Sequence, residues 1–419
     1  MHKIERLLQT LAPKGVEFKT LEEVFEIRNG YTPSKNNPEF WKNGTIPWFR
    51  MEDLRENGRI LKDSIQHITP KALKGKKLFP KNSIIISTTA TIGEHALLIV
   101  DSLANQRFTF LSKKANCDLA LDMKFFFYQC FLLGEWCKNN TNVSGFASVD
   151  MTAFKKYQFP IPPLEIQQEI VKILDAFTEL NTELNTELNA RKKQYQYYQN
   201  MLLDFNDINQ SHKDAKEKLT QKPYPKRLKT LLQTLAPKGV EFRKLGEVCD
   251  FQKGKSITKK AVTFGKVPVI SGGRQPAYYH NEANRSGETI AISSSGVYAG
   301  YVSYWDIPVF LADSFSVSPK QKTLMPKYLF HYLTTQQDAI HATKSTGGIP
   351  HVYSKDLQNF LIPIPPLEIQ QEIVTILDQF SILTTDLLAG IPAEIKARKK
   401  QYEYYREKLL TFKPLQNKE

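Results

Sequence analysis

Apolar side chains recur at intervals of three and four residues in a long segment near the middle of the chain. They occupy Ile170, Ile173, Phe177, Leu180, Leu184, Leu188, Tyr195, Tyr198 and Leu202. This spacing places them on one face of an α-helix. Pro162 and Pro163 precede the segment, and proline suits the first turn of a helix. The pattern therefore predicts one helix from Leu164 to Leu203, about 60 Å long at about 1.5 Å per residue.

The same apolar face returns near the C-terminus with one interruption. Its positions are Ile373, Ile376, Phe380, Leu383, Leu387, Ile391, Ile395, Tyr402, Tyr405 and Leu409. Among them lies Gly390-Ile391-Pro392, and a proline inside a helix costs about 3 kcal/mol or more. We expect a break there, with Pro392 in the first turn of a new helix. Two long helices with matching apolar faces predict an antiparallel coiled coil.

The helical segments belong to a larger internal repeat. Three segments occur twice, letter for letter or nearly so: LLQTLAPKGVEF at 7–18 and 231–242, PIPPLEIQQEIV at 160–171 and 363–374, and ARKKQYQYY at 190–198, which returns as ARKKQYEYY at 397–405. The globular interiors at 36–155 and 260–358 have instead diverged strongly. Two long copies indicate two similar halves rather than a solenoid of short repeats. The shared segments therefore perform the same task in both halves. The divergent interiors perform tasks that are related but differ between the halves.

The repeat predicts an α+β protein with pseudo-twofold symmetry, in which two mixed α/β globular domains are separated by two long antiparallel helices. The predicted segments are a first globular domain (1–160), a central helical spacer (161–205), a polar linker (206–226), a second globular domain (227–363) and a C-terminal helical spacer (364–412). The polar composition of NDINQSHKDAKEKLTQKPYPK predicts the linker. The first globular copy carries 18 extra residues between positions 35 and 84.

The central spacer contains the tetrapeptide TELN three times without interruption, from Thr178 to Asn189. Glu and Leu favour helix and Thr and Asn are tolerated, but composition does not explain three perfect copies. One unit lengthens a helix by about 6 Å and rotates the residues beyond it by about 40°. B-DNA turns by roughly 34–36° and rises by about 3.4 Å per base pair. The rotation per TELN unit is close to the rotation per base pair, whereas the translation per unit is larger than the rise per base pair. We hypothesise that the repeat sets a distance.

The balance of charge is compatible with a polyanionic partner. The chain has 57 Lys and Arg against 43 Asp and Glu, for a net charge of +14. A solvated basic surface explains this charge equally well, so charge alone does not identify nucleic acid as the partner. No apolar run approaches the about 18 residues needed to span a membrane, and residues 1–10 look like an amphipathic helix rather than a signal peptide. We therefore expect a cytoplasmic protein with no membrane partner.

The motifs of common catalytic and metal sites are missing. The four cysteines are scattered without metal-ligand spacing. Neither HExxH nor GxxxxGK followed by Ser or Thr is present, although Gly254-Lys255-Ser256 resembles the end of the latter. The double prolines at 162–163 and 365–366 lack the neighbours of an amino-methyltransferase motif. We therefore expect no catalytic residue, no metal and no cofactor bound by this chain.

Polar loops in the globular halves are the candidate contacts to nucleic acid. Each half opens with a basic turn, at Gly30 and at Gly254, where we expect a backbone conformation open to glycine; an ordinary surface hairpin is the alternative. Arg or Lys can pair with guanine and Asn or Gln with adenine, whereas many such residues contact only phosphates. The candidates are Arg28, Asn29, Tyr31, Thr32, Ser34, Lys35, Thr88, Thr89, Gln106 and Arg107 in the first half, and Lys253, Lys255, Ser256, Thr258, Lys259, Arg274, Gln275, Tyr279, Ser294, Ser295 and Lys344 in the second.

Two divergent globular halves, near-identical spacers with PIPPLEIQQEIV and ARKKQYEYY, and the tandem TELN unit resemble the specificity subunit of type I restriction-modification systems. The resemblance covers nearly the whole chain. It implies that each globular half is a target-recognition domain for one half of a bipartite double-stranded DNA site, with the spacers setting the gap between the half-sites. The globular halves match by position and general pattern only, so individual base contacts do not carry over.

The resemblance also implies the partners. Two methyltransferase subunits would dock on the spacers and supply S-adenosylmethionine and adenine methylation, and a restriction or translocase subunit is a further partner. The positions predicted for spacer packing and partner docking are Leu180, Leu184, Leu188, Tyr195, Tyr198, Leu383, Leu387, Tyr402 and Tyr405.

Two other functions stay open at this point. A coiled-coil scaffold or adhesion protein would bind proteins through its globular halves and would show low affinity for DNA without steep salt dependence. A self-sufficient nuclease or methyltransferase with degenerate motifs would be active as the purified chain alone.

Overall fold

The chain folds into two compact units that interleave along the sequence. The computed structural model describes residues 2–142, 147–205, 222–320, 322–345, 348–385 and 390–415. Unit 1 consists of residues 1–183 and 395–419, and unit 2 of residues 184–394. The units depart from the predicted linear division because the C-terminal segment packs in unit 1, where Val16 N donates to Lys413 O at 2.9 Å and Leu415 N donates to Val16 O at 3.0 Å.

Unit 1 is a mixed α/β domain followed by the start of the central helix. Its helices are α1 (His2–Leu11), α2 (Leu21–Val24), α3 (Met51–Asn57), α4 (Met123–Asn139) and α5 (Met151–Lys155), with 3-10 turns at Pro38–Phe40 and Pro70–Leu73. Its strands are β1 (Glu17–Thr20), β2 (Phe25–Asn29), β3 (Ile46–Phe49), β4 (Ile60–Leu61), β5 (His67–Ile68), β6 (Ile84–Ser87), β7 (His95–Leu98), β8 (Leu103–Ala104), β9 (Phe108–Lys113), β10 (Thr141–Asn142), β11 (Ser148–Val149) and β12 (Gln158–Ile161). The central helix is α6 (Leu164–Leu203).

The strands of unit 1 form a five-stranded sheet in the order β2-β9-β6-β7-β4 and a three-stranded sheet in the order β5-β3-β8. Both faces of the larger sheet are covered, because Ile84 and Ile86 join the core beneath α4 whereas Ile85 joins a second core with Trp48 and Phe49. A strand buried on both faces carries a continuous apolar run, which explains the sequence of β6.

Unit 2 repeats this plan with fewer elements. Its elements are α7 (Lys226–Leu235), β13 (Glu241–Lys244), α8 (Leu245–Val248), β14 (Cys249–Lys253), a 3-10 turn (Lys259–Ala261), β15 (Val267–Ile270), β16 (Tyr278–His280), β17 (Thr289–Ser293), β18 (Val302–Trp305), β19 (Phe310–Leu311), β20 (Ser314–Pro319), α9 (Pro326–Thr335), α10 (Gln337–Ala342), α11 (Ser354–Leu357), β21 (Leu361–Ile364) and α12 (Leu367–Thr385); α13 (Ile391–Leu410) follows. The sheets run β14-β20-β17-β18 and β16-β15-β19. Most of the predicted linker, residues 206–221, lies outside the described residues, and its end is ordered, with Tyr224 buried.

The helix bounds follow the sequence pattern closely. The predicted helix from Leu164 to Leu203 is confirmed at both ends. The expected break is also confirmed, because α13 begins at Ile391 with Pro392 in its first turn and Ala393 N donates to Gly390 O at 2.9 Å. In the part of the chain that is described, no helix is both long enough and apolar enough to cross a bilayer.

Aromatic residues join the two spacers inside each unit. In unit 1 the ring of Phe177 stacks on that of Tyr405 with centroids 5.6 Å apart, and in unit 2 Tyr198 stacks on Phe380 at 5.1 Å. Contact between the spacer helices is therefore confirmed within both units.

The predicted apolar face of the C-terminal spacer needs one correction. Leu383 is 45% exposed, whereas the neighbouring Thr384 is buried. Ile373, Leu377 and Thr384 are among the buried residues of α12, and Phe380, which stacks on Tyr198, lies between the last two. Positions 373, 377, 380 and 384 are spaced by four, three and four residues, which places them on one helix face. Leu383 is outside this face, so its predicted place in the apolar face is wrong. Leu387 lies outside the described residues.

Identical glutamines of the repeated PIPPLEIQQEIV segments hold each spacer to its domain. Gln167 is fully buried, and its Nε2 donates to the carbonyls of Ala120 at 2.9 Å and Pro162 at 2.7 Å. Gln370 is equally buried and makes the same pair of bonds in unit 2, at 2.8 and 2.7 Å. A buried amide is costly to leave unsatisfied, so these bonds fix the point at which each helix leaves its domain.

A carboxylate on the spacer reinforces this attachment. Asp378 accepts from Lys327 Nζ at 2.6 Å and from the buried His331 Nε2 at 3.0 Å. The equivalent Asp175 accepts from the hydroxyl of Tyr128 at 2.6 Å, where unit 2 has the histidine. Burial alone would raise the pKa of Asp378, but the bonds from His331 and Lys327 outweigh it and hold the pKa below its ordinary value.

We expect Asp378→Asn to lower the free energy of unfolding by about 1–2 kcal/mol near neutral pH, because it removes two charge-assisted hydrogen bonds. A carboxyl with a depressed folded-state pKa stabilises the fold above its unfolded-state pKa, and this contribution disappears as the pH falls through the folded-state pKa. Urea unfolding should therefore separate the variant from the parent at neutral pH and bring them together in acid. Asp250→Asn, at a carboxylate whose side chain is 70% exposed, is the matched control. A variant as stable as the parent at neutral pH would contradict the prediction.

Candidate nucleic-acid interface

Each unit carries a cluster of loops at one end of its sheets, which we call rim 1 and rim 2. Rim 1 comprises residues 29–35, 50, 87–93, 105–107, 140–142 and 147–149. Rim 2 comprises residues 253–258, 271–277, 293–300, 312–314, 343–345 and 348–352. Many of the predicted contacts to nucleic acid lie in these two clusters.

Equivalent backbone hydrogen bonds join the loops of both rims. In rim 1 they are Thr88 N to Arg107 O (3.2 Å), Val149 N to Thr88 O (2.9 Å), Asn105 N to Phe49 O (3.1 Å), Tyr31 N to Ala104 O (2.8 Å) and Gly93 N to Ser87 O (2.9 Å). In rim 2 they are Ser294 N to Asp313 O (2.9 Å), Val352 N to Ser294 O (3.0 Å), Ala312 N to Ile270 O (2.8 Å), Lys255 N to Leu311 O (2.8 Å) and Gly300 N to Ser293 O (2.7 Å). Backbone bonds do not depend on the identity of the side chain, so the exposed side chains can differ while the loops stay in place.

The glycines that open each rim allow two backbones to meet. A Cβ built on Gly30 would lie 2.1 Å from Asn105 O, and one on Gly254 would lie 2.5 Å from Ala312 O. The prediction that these residues adopt a conformation open to glycine is wrong, since neither has a positive φ. Close approach of the neighbouring strand, not the backbone angle, requires glycine at both positions.

A second pair of equivalent positions does need the left-handed conformation. Gly296 has a φ of +86°, and Ala90, at the same place in the loop of rim 1, has a φ of +63°. This conformation costs a residue with a Cβ roughly 1–2 kcal/mol. Rim 1 therefore holds a strained alanine where rim 2 has a glycine.

Buried hydroxyls support rim 1 from below. Thr88 is 7% exposed, and its hydroxyl lies 3.0 Å from that of Thr109, which donates to Asn29 Oδ1 at 3.0 Å. Thr88 was predicted to contact nucleic acid, but the structure places its side chain in this internal chain of bonds. Thr89 is half-buried and pairs with Ser148 across the loops.

Two indoles fix the first loop of rim 1. Trp48 Nε1 donates to Tyr31 O and Trp41 Nε1 donates to Ser34 O, each at 2.9 Å. Thr32 bonds to the side chain of Gln106, which brings two predicted contacts together. The exposed predicted residues of this rim are Asn29, Ser34, Lys35, Gln106 and Arg107.

Four predicted residues lie outside the rims or at their edge. Arg28 is on β2, with its guanidinium 4.6 Å from the centroid of the buried Phe79 ring. Tyr279 is exposed in the middle of β16. Thr258 and Lys259 are exposed where the chain leaves rim 2 for the 3-10 turn, so Thr258 marks the edge of this cluster.

Rim 2 exposes a different set of side chains. Lys253, Lys255, Ser256, Arg274 and Gln275 are exposed, whereas Ser294, Ser295 and Lys344 are half-buried. The guanidinium of Arg274 lies 5.0 Å from the ring centroid of Tyr298 and 5.6 Å from that of Tyr301. Stacking on two rings holds this guanidinium above the loop.

Sequence reasoning missed one residue of rim 2, Asp313, and one residue that supports the rim from outside it, Arg285. Arg285 donates through Nη2 to the carbonyls of Gln252 and Lys253 at 3.0 and 3.1 Å and so holds the first loop; burial lowers the pKa of its guanidinium from the ordinary value. Asp313 is exposed at the loop tip. The internal repeat could have identified Asp313, because the offset of 206 that relates Ile84 to Ile290 also relates Arg107 to Asp313.

The extra residues of the first copy add a basic groove beside rim 1. They include α3 and β4, and the groove of about 670 Å³ is lined by Arg55, Arg59 and Lys138 together with residues 90–92. Arg59 Nη2 is 2.6 Å from Glu94 Oε2. The two rims therefore share a backbone but differ in charge, groove and hydrogen-bonding groups, a combination suited to phosphates and base edges.

The strained alanine gives a test of this equivalence. We expect Ala90→Gly to raise the free energy of unfolding by about 0.5–1 kcal/mol, because glycine adopts the left-handed conformation without steric cost. The opposite substitution at the equivalent position, Gly296→Ala, should lower the free energy of unfolding by about 1 kcal/mol or more. Chemical denaturation of both variants measures the two changes. Changes of the same sign would contradict the equivalence of the two loops.

Comparisons with known proteins agree with the division into two similar halves. A family model described as the type I restriction modification DNA specificity domain matches residues 13–194 and again residues 237–397. The type I restriction enzyme EcoprrI specificity subunit of Escherichia coli is 40% identical over 402 residues, which cover 92% of this chain and 93% of that protein.

Solved structures share the fold. The crystal structure of a type I restriction-modification system S subunit from M. genitalium is similar with a TM-score of 0.57 and 19% identity, over 94% of this chain and 96% of that one. A chain from a study of complex assembly and conformational transition of the type I R-M system has a TM-score of 0.56 and 18% identity, over 95% of this chain and 98% of that one.

Proposed function

The chain belongs to the family of type I restriction-modification DNA specificity subunits, and we propose that rim 1 and rim 2 each bind one half of a bipartite sequence in double-stranded DNA. The observation that carries this proposal is the shared backbone of the rims beneath different exposed side chains. Two copies of one scaffold with different surface groups suit the recognition of two different half-sites. A coiled-coil scaffold that binds proteins is the less favoured function, because it would not need this arrangement.

Exposed cations of the rims support phosphate binding. Lys35 and Arg107 in rim 1, and Lys253, Lys255 and Arg274 in rim 2, are exposed side chains on otherwise polar loops. Cations that neutralise phosphates release condensed counterions from DNA, which makes affinity fall steeply with salt. The net charge of +14 acts in the same direction.

We expect the chain, bound to its methyltransferase partner, to direct adenine methylation to one split motif with a fixed gap. Lys255→Ala should weaken binding to a duplex carrying that motif and reduce the slope of log affinity against log salt by about 1, because one phosphate contact is lost. Fluorescence anisotropy over a series of salt concentrations measures the slope. Lys266→Ala is the matched control, because this exposed lysine precedes β15 at the end away from rim 2. An unchanged slope for Lys255→Ala would contradict the phosphate contact.

The central helix is the part suited to setting the gap between half-sites. It runs without a break from Leu164 to Leu203 and contains all three TELN copies. Leu184 is 9% exposed, and Leu180 and Leu188 are half-buried. Hydroxyls such as that of Thr178 bond to carbonyls one turn earlier, so the repeat is regular helix whose length changes in units of four residues.

Deletion of one unit, residues 182–185, should shorten the unread gap of the methylated motif while leaving both half-sites unchanged, because the rims are untouched. Genome-wide mapping of methylated adenines gives the gap directly. The length-matched control replaces Thr182 and Asn185 by alanine and should keep the gap of the parent. An unchanged gap after the deletion would rule out the spacer as the measuring element.

The duplicated spacers also support two docking sites for partner subunits. Leu164 and Leu367 open the two spacer helices at equivalent positions and are 36% and 43% exposed. We propose that two methyltransferase subunits bind there, bringing S-adenosylmethionine, and that a restriction or translocase subunit joins them. The chain itself then contributes recognition rather than catalysis and works in the cytoplasm, where chromosomal DNA is available.

A further inference from the structure

The two rims carry opposite charges at one equivalent position. Arg107 O accepts from Thr88 N in rim 1, and Asp313 O accepts from Ser294 N in rim 2. The strands that follow have the same register. Thr109, two residues after Arg107, lies opposite Asn29, and Phe315, two residues after Asp313, lies opposite Lys253. The guanidinium of Arg107 in rim 1 is thus replaced by the carboxylate of Asp313 in rim 2.

The carboxylate of Asp313 is held but not neutralised. Ser271 Oγ donates to Asp313 Oδ2 at 3.0 Å. Among the described residues, this is the one hydrogen bond made by the Asp313 carboxylate, and no cation lies within ion-pair distance of it. The serine holds one oxygen, and the residue is exposed, so the other oxygen, Oδ1, is a hydrogen-bond acceptor at the surface of rim 2.

An unpaired carboxylate weakens attraction to a phosphate backbone, because like charges repel. In contact with DNA, such a carboxylate gains free energy where it meets a hydrogen-bond donor. In the major groove the donors are the amino groups of cytosine and adenine. Adenine places the N7 acceptor beside its amino group, which repels the second carboxylate oxygen, whereas cytosine presents the donor without that acceptor. Cytosine is therefore the better partner for Asp313.

We propose that Asp313 accepts a hydrogen bond from the N4 amino group of one cytosine in the half-site bound by rim 2, and that Arg107 donates to guanine at the equivalent place in the other half-site. This inference rests on the proposed function and adds the chemistry of one base pair to each half-site. Arginine suits guanine because its fork can bond both O6 and N7.

The test maps adenine methylation directed by the full chain with its methyltransferase partner. The parent motif identifies both half-sites. Asp313→Ala should reduce discrimination at one base pair of one half-site by roughly tenfold to a hundredfold, leaving the other half-site unchanged. Asp313→Asn should move the preference at that position from cytosine towards adenine, because an amide can bond both N6 and N7 of adenine. Arg107→Ala should relax one guanine in the opposite half-site.

Two controls separate recognition from loss of structure. Asp250→Asn makes the same change of charge on an exposed carboxylate of β14 and should leave the motif intact. Asp313→Asn is isosteric and can keep the bond from Ser271, so it decides the case if Asp313→Ala fails to assemble. A motif unchanged in both Asp313 variants, or weakened equally at every position, would overturn the inference while leaving the proposed function standing. The absence of any split motif with the parent chain would instead refute the proposed function.

Discussion

The attachment of each spacer helix to its own domain is the constraint on which the rest of the structure depends. A helix can set a distance only if its ends are fixed, and a buried glutamine with two carbonyl bonds fixes each start, at Gln167 and Gln370. The carboxylates of Asp175 and Asp378 add a second point of attachment on the same helices. Two separated points define a direction as well as a position, so the start of each spacer is held in a defined direction against its own domain.

This constraint also explains why some segments are identical in the two halves and others are not. The identical PIPPLEIQQEIV segments perform the same intramolecular task twice, and a change at Gln167 would leave a buried amide or carbonyl without a partner. The rims are under a different constraint, because their loops are joined by backbone bonds. Side chains at their surface can change at little cost to folding, and Arg107 and Asp313 illustrate how far that change extends.

The sequence was most informative where one physical effect dominates. Apolar spacing predicted the ends of the central helix, and the cost of an interior proline predicted the new helix at Ile391. The misses arose where two effects compete. Leu383 has the expected spacing but lies off the buried face. Gly30 is shared by the two halves because another strand passes close to it, which only the fold reveals. Thr88 looks like a surface hydroxyl, yet tertiary packing turns it inward.

The return of the C-terminal segment to unit 1 has a consequence for biosynthesis. Leu409 and Leu410 are buried in the same core as Ile4 and Phe25, and Leu415 bonds to Val16. The ribosome makes this chain from the N-terminus, and domains generally fold as units during synthesis. The domain that is synthesised first nevertheless lacks part of its core until Leu409 and Leu410 have left the ribosome. Unit 2, whose residues are continuous from 184 to 394, can therefore complete its core before unit 1, although translation of unit 1 begins first.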